Sequence, residues 1–404
     1  MGLGEGMLGP YLRVLRTPGA LAFSASGLVA RLPMSMFGIG IVLAISVTEG
    51  SYGRAGLVAG AALLAQAAAA PVQARVADRV GQRRMLLPVL ALHAVGLGSF
   101  ILLVGRAPLA ALLATSAVAG ASLPSFGALV RARWARVHTG TPLLHTAYAL
   151  ESVLDEVVFV VGPVLATILA TSVHPLSGLV TNLVLTVGGG LWFAAQRATE
   201  PPPRPRTRAA GVDRLSPRSL GWIVLTFAFM GGIFGSVEVV TVAFADHAGA
   251  TQAAGVVLAL YALGSLVSGL VVGAVHWRSG PRRRFVLGQV VMAAALLPLP
   301  FVGSVPVLAV VMFLAGLAIS PTLIAGFSLV EAEVPASRLT EGLAWISTAL
   351  NIGVSMGAAV AGPVIDRAGA SPGFVVAVSC GLLATVVCVG AALARVRQRE
   401  SVMP

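Results

Sequence analysis

The sequence predicts an all-α membrane protein with twelve transmembrane helices in two pseudo-symmetric six-helix bundles. Composition, the placement of arginine and an internal repeat predict it. Of the 404 residues, 57% are apolar and only 10% carry a charge, with a mean hydropathy of +0.92. A soluble fold carries about 25% charged residues, so a water-facing globular enzyme is excluded. A bilayer core takes about 20 apolar residues per helix, and the chain is long enough for on the order of a dozen crossings.

The spans follow from uncharged runs. The first, about Ala20 to Val47, contains one charge, Arg31. Ala55 to Ala74, Met85 to Gly105 and Ala107 to Val130 give one crossing each. Val157 to Gln196 is too long for one and divides at His174-Pro175. Ser219 to Val237 and Gly255 to Val275 flank a polar stretch, Asp246 to Gln252. Phe285 to Val330 divides at Gly303-Ser304-Val305-Pro306, where Gly and Pro mark a turn. Gly342 to Ile365 and Ala368 to Ala394 complete the set.

All 27 basic residues are arginine, and the formal charge is +12. With the N-terminus inside, 23 arginines fall on inner segments and only Arg54, Arg106 and Arg367 on outer loops. This positive-inside bias puts both termini in the cytoplasm. It accounts for the basic charge as a topology device, and with no solvated basic domain it excludes nucleic acid as a partner. Arg197 to Arg218 contains five prolines and six arginines and reads as a cytoplasmic linker. It separates an N-terminal bundle, residues 1–196, from a C-terminal bundle, residues 219–404. Met1 to Gly19 has no short apolar core before a cleavage site, so no signal peptide is expected.

The halves repeat. At an offset of 199, Ala55-Gly56-Leu57-Val58 meets Ala254-Gly255-Val256-Val257, and Arg79, Gly81, Arg83 and Arg84 meet Arg278, Gly280, Arg282 and Arg283. At an offset of 200, Gly162-Pro163 meets Gly362-Pro363. Two tethered six-helix bundles are an arrangement in which one rocks against the other around a central site.

The loop after span two reads Ala74-Arg75-Val76-Ala77-Asp78-Arg79-Val80-Gly81-Gln82-Arg83-Arg84. It resembles the major facilitator superfamily signature G-x-x-x-D-R-x-G-R-R/K, with Ala74 in place of the first Gly and Trp277 opposite Asp78 in the second half. The resemblance covers essentially the whole chain. It implies a cytoplasmic gate of Asp78, Arg79, Gly81, Arg83 and Arg84, with Asp78 near the start of span eleven, around Ser337 to Glu341, where helix N–H groups favour an anion. The simpler reading leaves the arginines as topology signals alone. Gly162-Pro163 resembles part of the exporter-associated pattern G-x-x-x-G-P-x-x-G-G, with Val158 and Ala166-Thr167 departing from it. Gly162, Pro163, Gly362 and Pro363 are expected to permit kinks and close helix approach. The span-four arginine typical of proton-driven drug exporters is missing.

An ionisable side chain within a span is costly and persists where it is paired or functional. Arg31, Glu151, Asp155, Glu156 and Glu238 are therefore the candidates for proton coupling or substrate binding. Glu151 and Asp155 are i, i+4 on one helix face, with Glu156 about 100° round. Two carboxylates away from water do not both ionise easily. The resemblance places Arg31 beside span five, where it would pair with Asp155 or Glu156, as a switch or as a fixed structural tie. Glu238 reads equally as a cavity group or an outer-rim group. His93 reads as packing. Glu331 and Glu333 stand 200 residues from Arg131 and Arg133, a pattern that fits a gate or simple solvated loop ends.

No Walker loop with Lys, nucleophile triad or metal-ligand spacing occurs. No enzyme activity, cofactor or metal is expected. The expected function is secondary transport across the plasma membrane by alternating access, with protons, a small-molecule substrate and the lipid bilayer as partners, by a monomer. The resemblance favours proton-coupled export of small drug-like compounds. A proton-coupled importer, and a lipid translocase or non-transporting sensor, are the alternatives.

Overall fold

The computed structural model describes residues 9–138, 141, 143–203, 217–274, 279–334 and 339–400. Among them no strand occurs, and twelve helical segments are long and apolar enough to cross a membrane. A short helix, α1 (Gly9–Leu15), precedes α2 (Ala20–Glu49), α3 (Tyr52–Val80) and α4 (Gln82–Leu103). Then come α5 (Leu109–Ala121), α6 (Phe126–Val137), α7 (Leu143–Ser172) and α8 (Ser177–Ala195). After the linker follow α9 (Pro217–His247), α10 (Ala253–Ala274), α11 (Pro281–Leu296), α12 (Val305–Gly316), α13 (Ile319–Glu333), α14 (Leu339–Ala368) and α15 (Ala370–Glu400). Apolar side chains face outward over long stretches, as lipid contact allows.

Two spans differ from the expected single helix. The fourth is interrupted between α5 and α6, and the tenth between α12 and α13. Pro124 in the first break and Pro321 just beyond the second supply the reason, because proline has no N–H to donate and clashes with the preceding turn. Prolines within α2, α3, α4, α7 and α14 leave those helices continuous. Gly81, at φ 97°, makes the turn between α3 and α4. A Cβ there would also lie 2.9 Å from Glu200 Oε1, whose carboxylate accepts the Arg83 backbone N–H at 2.9 Å and satisfies the start of α4.

The chain forms two compact units, residues 1–40 with 65–208, and residues 41–64 with 209–404. The end of α2 and the first part of α3 thus belong with the second unit. In the first unit Phe23 packs edgewise on Trp134 with centroids 4.5 Å apart, within a core that also buries Val14, Leu90, Phe126, Val130 and Phe193. Gly189 lets α8 approach α2, since a Cβ there would stand 2.8 Å from the Ala30 nitrogen. In the second unit Tyr52 donates from its hydroxyl to Asp246 at 2.9 Å. The Asp366 carboxylate accepts from the backbone N–H groups of Tyr52 and Gly53 at 2.9 and 2.7 Å and so caps the start of α3.

Candidate functional site

Three of the expected intramembrane charges of the first unit, Arg31, Glu151 and Asp155, converge on one cluster. Arg31, on α2, is 1% exposed. Its Nη1 donates to Asp155 Oδ1 at 2.7 Å, and its Nη2 pairs with Glu151 Oε2. Glu151 and Asp155 sit one turn apart on α7, so a single guanidinium spans both. Glu151 is fully buried and accepts from two further donors, the Ser24 hydroxyl at 2.9 Å and the Trp134 indole N–H at 2.7 Å. Every one of these contacts donates to it, so the pocket is built to hold carboxylate oxygens as acceptors.

Asp155 is different. Its second oxygen takes Arg131 Nη2 at 2.6 Å, and the side chains of Arg131 and Asp155 are 35% and 25% exposed. Two guanidiniums therefore face two carboxylates, and the crowding of like charges expected from α7 alone is relieved by Arg131, which the sequence did not tie to α7. Glu156 lies off this cluster, half-buried, with no hydrogen bond or ion pair to it. Arg31 is brought to Glu151 and Asp155 and not to Glu156.

Arg133, two residues on, is expected from sequence to be a topology signal and, with Glu331 and Glu333, a gate or a solvated loop end. It is fully buried and its guanidinium lies 3.7 Å from the Phe193 ring centroid. It donates to Gln82 Oε1 at 2.9 Å, to the carbonyls of Phe193 and Gln196 at 3.1 and 2.9 Å, and to Thr199 Oγ1 at 3.2 Å. It thus satisfies the Gln196 carbonyl past the end of α8 and adds a second donor to the Phe193 carbonyl, which also accepts from the Gln196 N–H at 3.3 Å. In the second unit Arg282 and Glu333, each 200 residues from Gln82 and Arg133, form an ion pair at 2.5 Å. Arg133 and Glu333 each have partners inside their own unit; the Glu331 side chain lies outside the described residues.

Asp78, Arg79 and Arg84 are exposed. Asp78 and Arg79 make no hydrogen bond or ion pair among the described residues, and residues 335–338 together with the Glu341 side chain, where Asp78 is expected to dock, lie outside them. So do Trp277 and Arg278. Gly162 and Gly362 mark close approaches. A Cβ on Gly162 would meet Ser35 Oγ at 1.8 Å, and one on Gly362 would meet the Tyr52 carbonyl at 2.3 Å. Pro163 and Pro363 lie inside helices that run on through them. His93 is fully buried with Nδ1 2.9 Å from the Ala119 carbonyl, a packing role. Among the described residues no group of three or more His, Cys, Asp or Glu side chains is arranged to hold a metal ion.

Comparison with known proteins reads the same way. Major Facilitator Superfamily matches cover residues 21–275 and 239–402. No curated protein matches by sequence. The fold is similar to a mutant of the peptide transporter POT, at 12% identity and a TM-score of 0.74, over 94% of this chain and 95% of that one. It is similar to a mutant of the nucleoside transporter NupG, at 13% identity and a TM-score of 0.72, over 92% and 99%. The human organic anion transporter MFSD10 (TETRAN) matches at 18% identity and a TM-score of 0.63, over 92% and 99%. At these identities the likeness is one of fold. Twelve apolar helices, a sequence match along nearly the whole length and transporters as structural neighbours place the chain in the major facilitator superfamily.

Proposed function

We propose that this secondary transporter exports small, drug-like organic compounds in exchange for protons, as a monomer in the plasma membrane with both termini in the cytoplasm. Two six-helix halves, residues 1–196 and 219–404, joined by the arginine- and proline-rich stretch at 197–218, rock to expose a central site to either side. The gate residues Asp78, Arg79, Gly81, Arg83 and Arg84 serve the cytoplasmic side of that cycle.

The observation that carries the coupling is the position of Asp155, bridged between Arg31 and Arg131 and a quarter exposed. Adding one proton to Asp155 takes the four-residue cluster from neutral to a charge of +1. Both ion pairs to Asp155 are lost at once, while Arg31 keeps Glu151. The freed Arg131 and the loosened contact between α2 and α7 are the mechanical output. Glu151, saturated by donors, is the fixed anchor of the set.

Ethidium efflux from proteoliposomes under an imposed pH gradient tests this. Asp155→Asn is expected to remove the pH dependence of efflux, by about tenfold or more in rate at the favourable gradient, with the protein still folded. Unchanged coupling in Asp155→Asn would refute the assignment, and gradient-driven uptake in place of efflux would make the transporter an importer.

A further inference from the structure

Span four breaks at residues 122–125, and its second piece, α6, carries the side chains that complete the ionic cluster. This helix has 12 residues and no side-chain cap at Ser125. A helix that short takes its place from tertiary contacts more than from its own propensity. Arg131 and Arg133 are two positions apart, so they project about 200° apart round the axis, from nearly opposite sides. On one side Arg131 holds Asp155 at 2.6 Å and Trp134 holds Glu151 at 2.7 Å, both on α7. On the other, Phe126 packs edgewise on Phe193 of α8 with centroids 5.9 Å apart, and Arg133 stacks on the same ring.

The rear contact is polar as well as aromatic. Arg133 Nε donates to Gln82 Oε1 at 2.9 Å, and Gln82 Nε2 donates to the Leu129 carbonyl at 3.0 Å. The first residue of α4 thus grips α6 at two points a turn apart. The remaining guanidinium nitrogens take the Phe193 and Gln196 carbonyls and the Thr199 hydroxyl. Arg133 and Gln82 are 0% and 4% exposed. A buried guanidinium is costly without a carboxylate paired to it, and none pairs with Arg133 among the described residues. Glu200, whose charge reaches Arg133, is committed to the start of α4. An apolar residue would cover Phe193 without that cost. It would not reach α4, α8 and the chain beyond α8 from one point, as the fixed fork of a guanidinium does.

We infer that Arg133 is a positioning residue for the ionic cluster: by bracing α6 against α4 and α8, it sets where Arg131 stands over Asp155 and where Trp134 meets Glu151. The inference deepens the coupling reading above and rests on it. Asp155 faces Arg31 from α2 and Arg131 from α6, with Glu151 one turn before it and Glu156 beside it on α7. Glu238 stands in α9 of the second unit, half-buried and without a hydrogen bond or ion pair among the described residues. The hydrogen-bond partners of Arg133 are carbonyls, an amide and a hydroxyl, none of which titrates near neutral pH. The brace therefore holds α6 in place when Asp155 takes a proton, and the movement falls to α2 against α7.

The test follows Asp155 itself. Infrared difference spectra of the purified full chain in detergent, taken across a pH titration, show the carboxyl C=O stretch of protonated Asp155, assigned by its loss in Asp155→Asn. A carboxylate that loses a neighbouring cation holds its proton more tightly, and Arg131→Gln should raise the proton affinity about tenfold. Arg133→Gln should raise it to a similar extent although it touches neither carboxylate, and combining the two changes should add nothing further. Where Arg133→Gln does not fold, Gln82→Leu, which removes one strut and keeps the guanidinium, should give a shift of a few-fold in the same direction. A merely structural residue would lower Tm and leave the titration midpoint in place. That result in the folded variant, or additive shifts in the double variant, overturns the proposal. A shifted midpoint together with pH-independent efflux by the wild-type chain would instead remove the coupling reading and leave the brace standing.

Discussion

The same helix junction is built twice in this chain, by opposite means. In the first unit α2 meets α7 through Arg31 with Glu151 and Asp155, and through the Ser35 hydroxyl, which donates to the Val158 carbonyl at 2.7 Å. Moved by 200 positions, Arg31 becomes Gly231, Ser35 becomes Gly235, Glu151 becomes Asn351 and Asp155 becomes Ser355. There α9 meets α14 backbone to backbone. A Cβ on Gly231 would lie 1.9 Å from the Leu350 carbonyl, one on Gly235 1.9 Å from the Val354 carbonyl, and one on Gly353 1.8 Å from the Ala228 carbonyl. Small residues allow this close packing where lipid supplies no hydrophobic drive. One junction holds by charge and is the one to which the proposed proton coupling is assigned. The other holds by surface fit, backbone against backbone at glycine.

The most severe way to break the ionic junction is to remove its buried anchor. Glu151→Ala strands the Trp134 N–H and the Ser24 hydroxyl and leaves Arg31 to Asp155 alone, and losing one partner of a buried pair costs about 3–5 kcal/mol. Thermal unfolding in detergent should show a large fall in Tm. Replacing both partners, Arg31→Met with Glu151→Leu, should recover most of that loss, because buried ion pairs are often no better than well-packed apolar residues. If the double variant is as unstable as the single one, the pair is more than a tie.

On the glycine side the expected loss is smaller. Gly353→Ala puts a methyl group against the Ala228 backbone, and an overpacked site typically loses about 1–3 kcal/mol. The two helices must part, since backbone cannot rotate away as a side chain can. The fall in Tm should be the same at pH 5 and pH 8. A pH-dependent loss would show that Glu238, one turn beyond Gly235 on α9, takes part in this junction.

The contrast also explains what the sequence could convey. Spans were legible because apolar runs, Gly-Pro turns and one-sided arginines each follow from the bilayer. Arg31, Glu151 and Asp155 were legible because a charge within a span is rare. Arg131 and Arg133 were hidden, since an arginine at an inner helix end satisfies the topology rule equally well whether it is solvated or buried. Trp134 and Ser24 were hidden for another reason, as no sequence rule ties residue 24 or 134 to residue 151. The glycine junction was masked by abundance, because with 47 glycines in the chain only the offset of 200 singles out Gly231 and Gly235. The break of the fourth span at Pro124 was missed because five other prolines lie inside helices that stay whole.

The smallest expected effect lies at the edge of the first unit and sharpens the contrast in pH response. His138 follows α6, stacks on Trp134 with centroids 5.7 Å apart, and sits 3.3 Å from the Thr17 hydroxyl. Burial lowers its pKa below the ordinary histidine value. The folded chain thus resists protonating this ring while the unfolded chain takes the proton. The neutral ring's contribution is fully present above the ordinary value, about 6.5, and is lost as pH falls from there through the lowered folded value. His138→Asn should remove that part of the acid sensitivity and change Tm at pH 8 by little, because asparagine keeps a hydrogen-bonding group for Thr17. Since Trp134 also donates to Glu151, a loss of pH-dependent efflux in His138→Asn would show that the ring acts on the ionic cluster through Trp134; unchanged efflux with reduced acid sensitivity of Tm is the expected result.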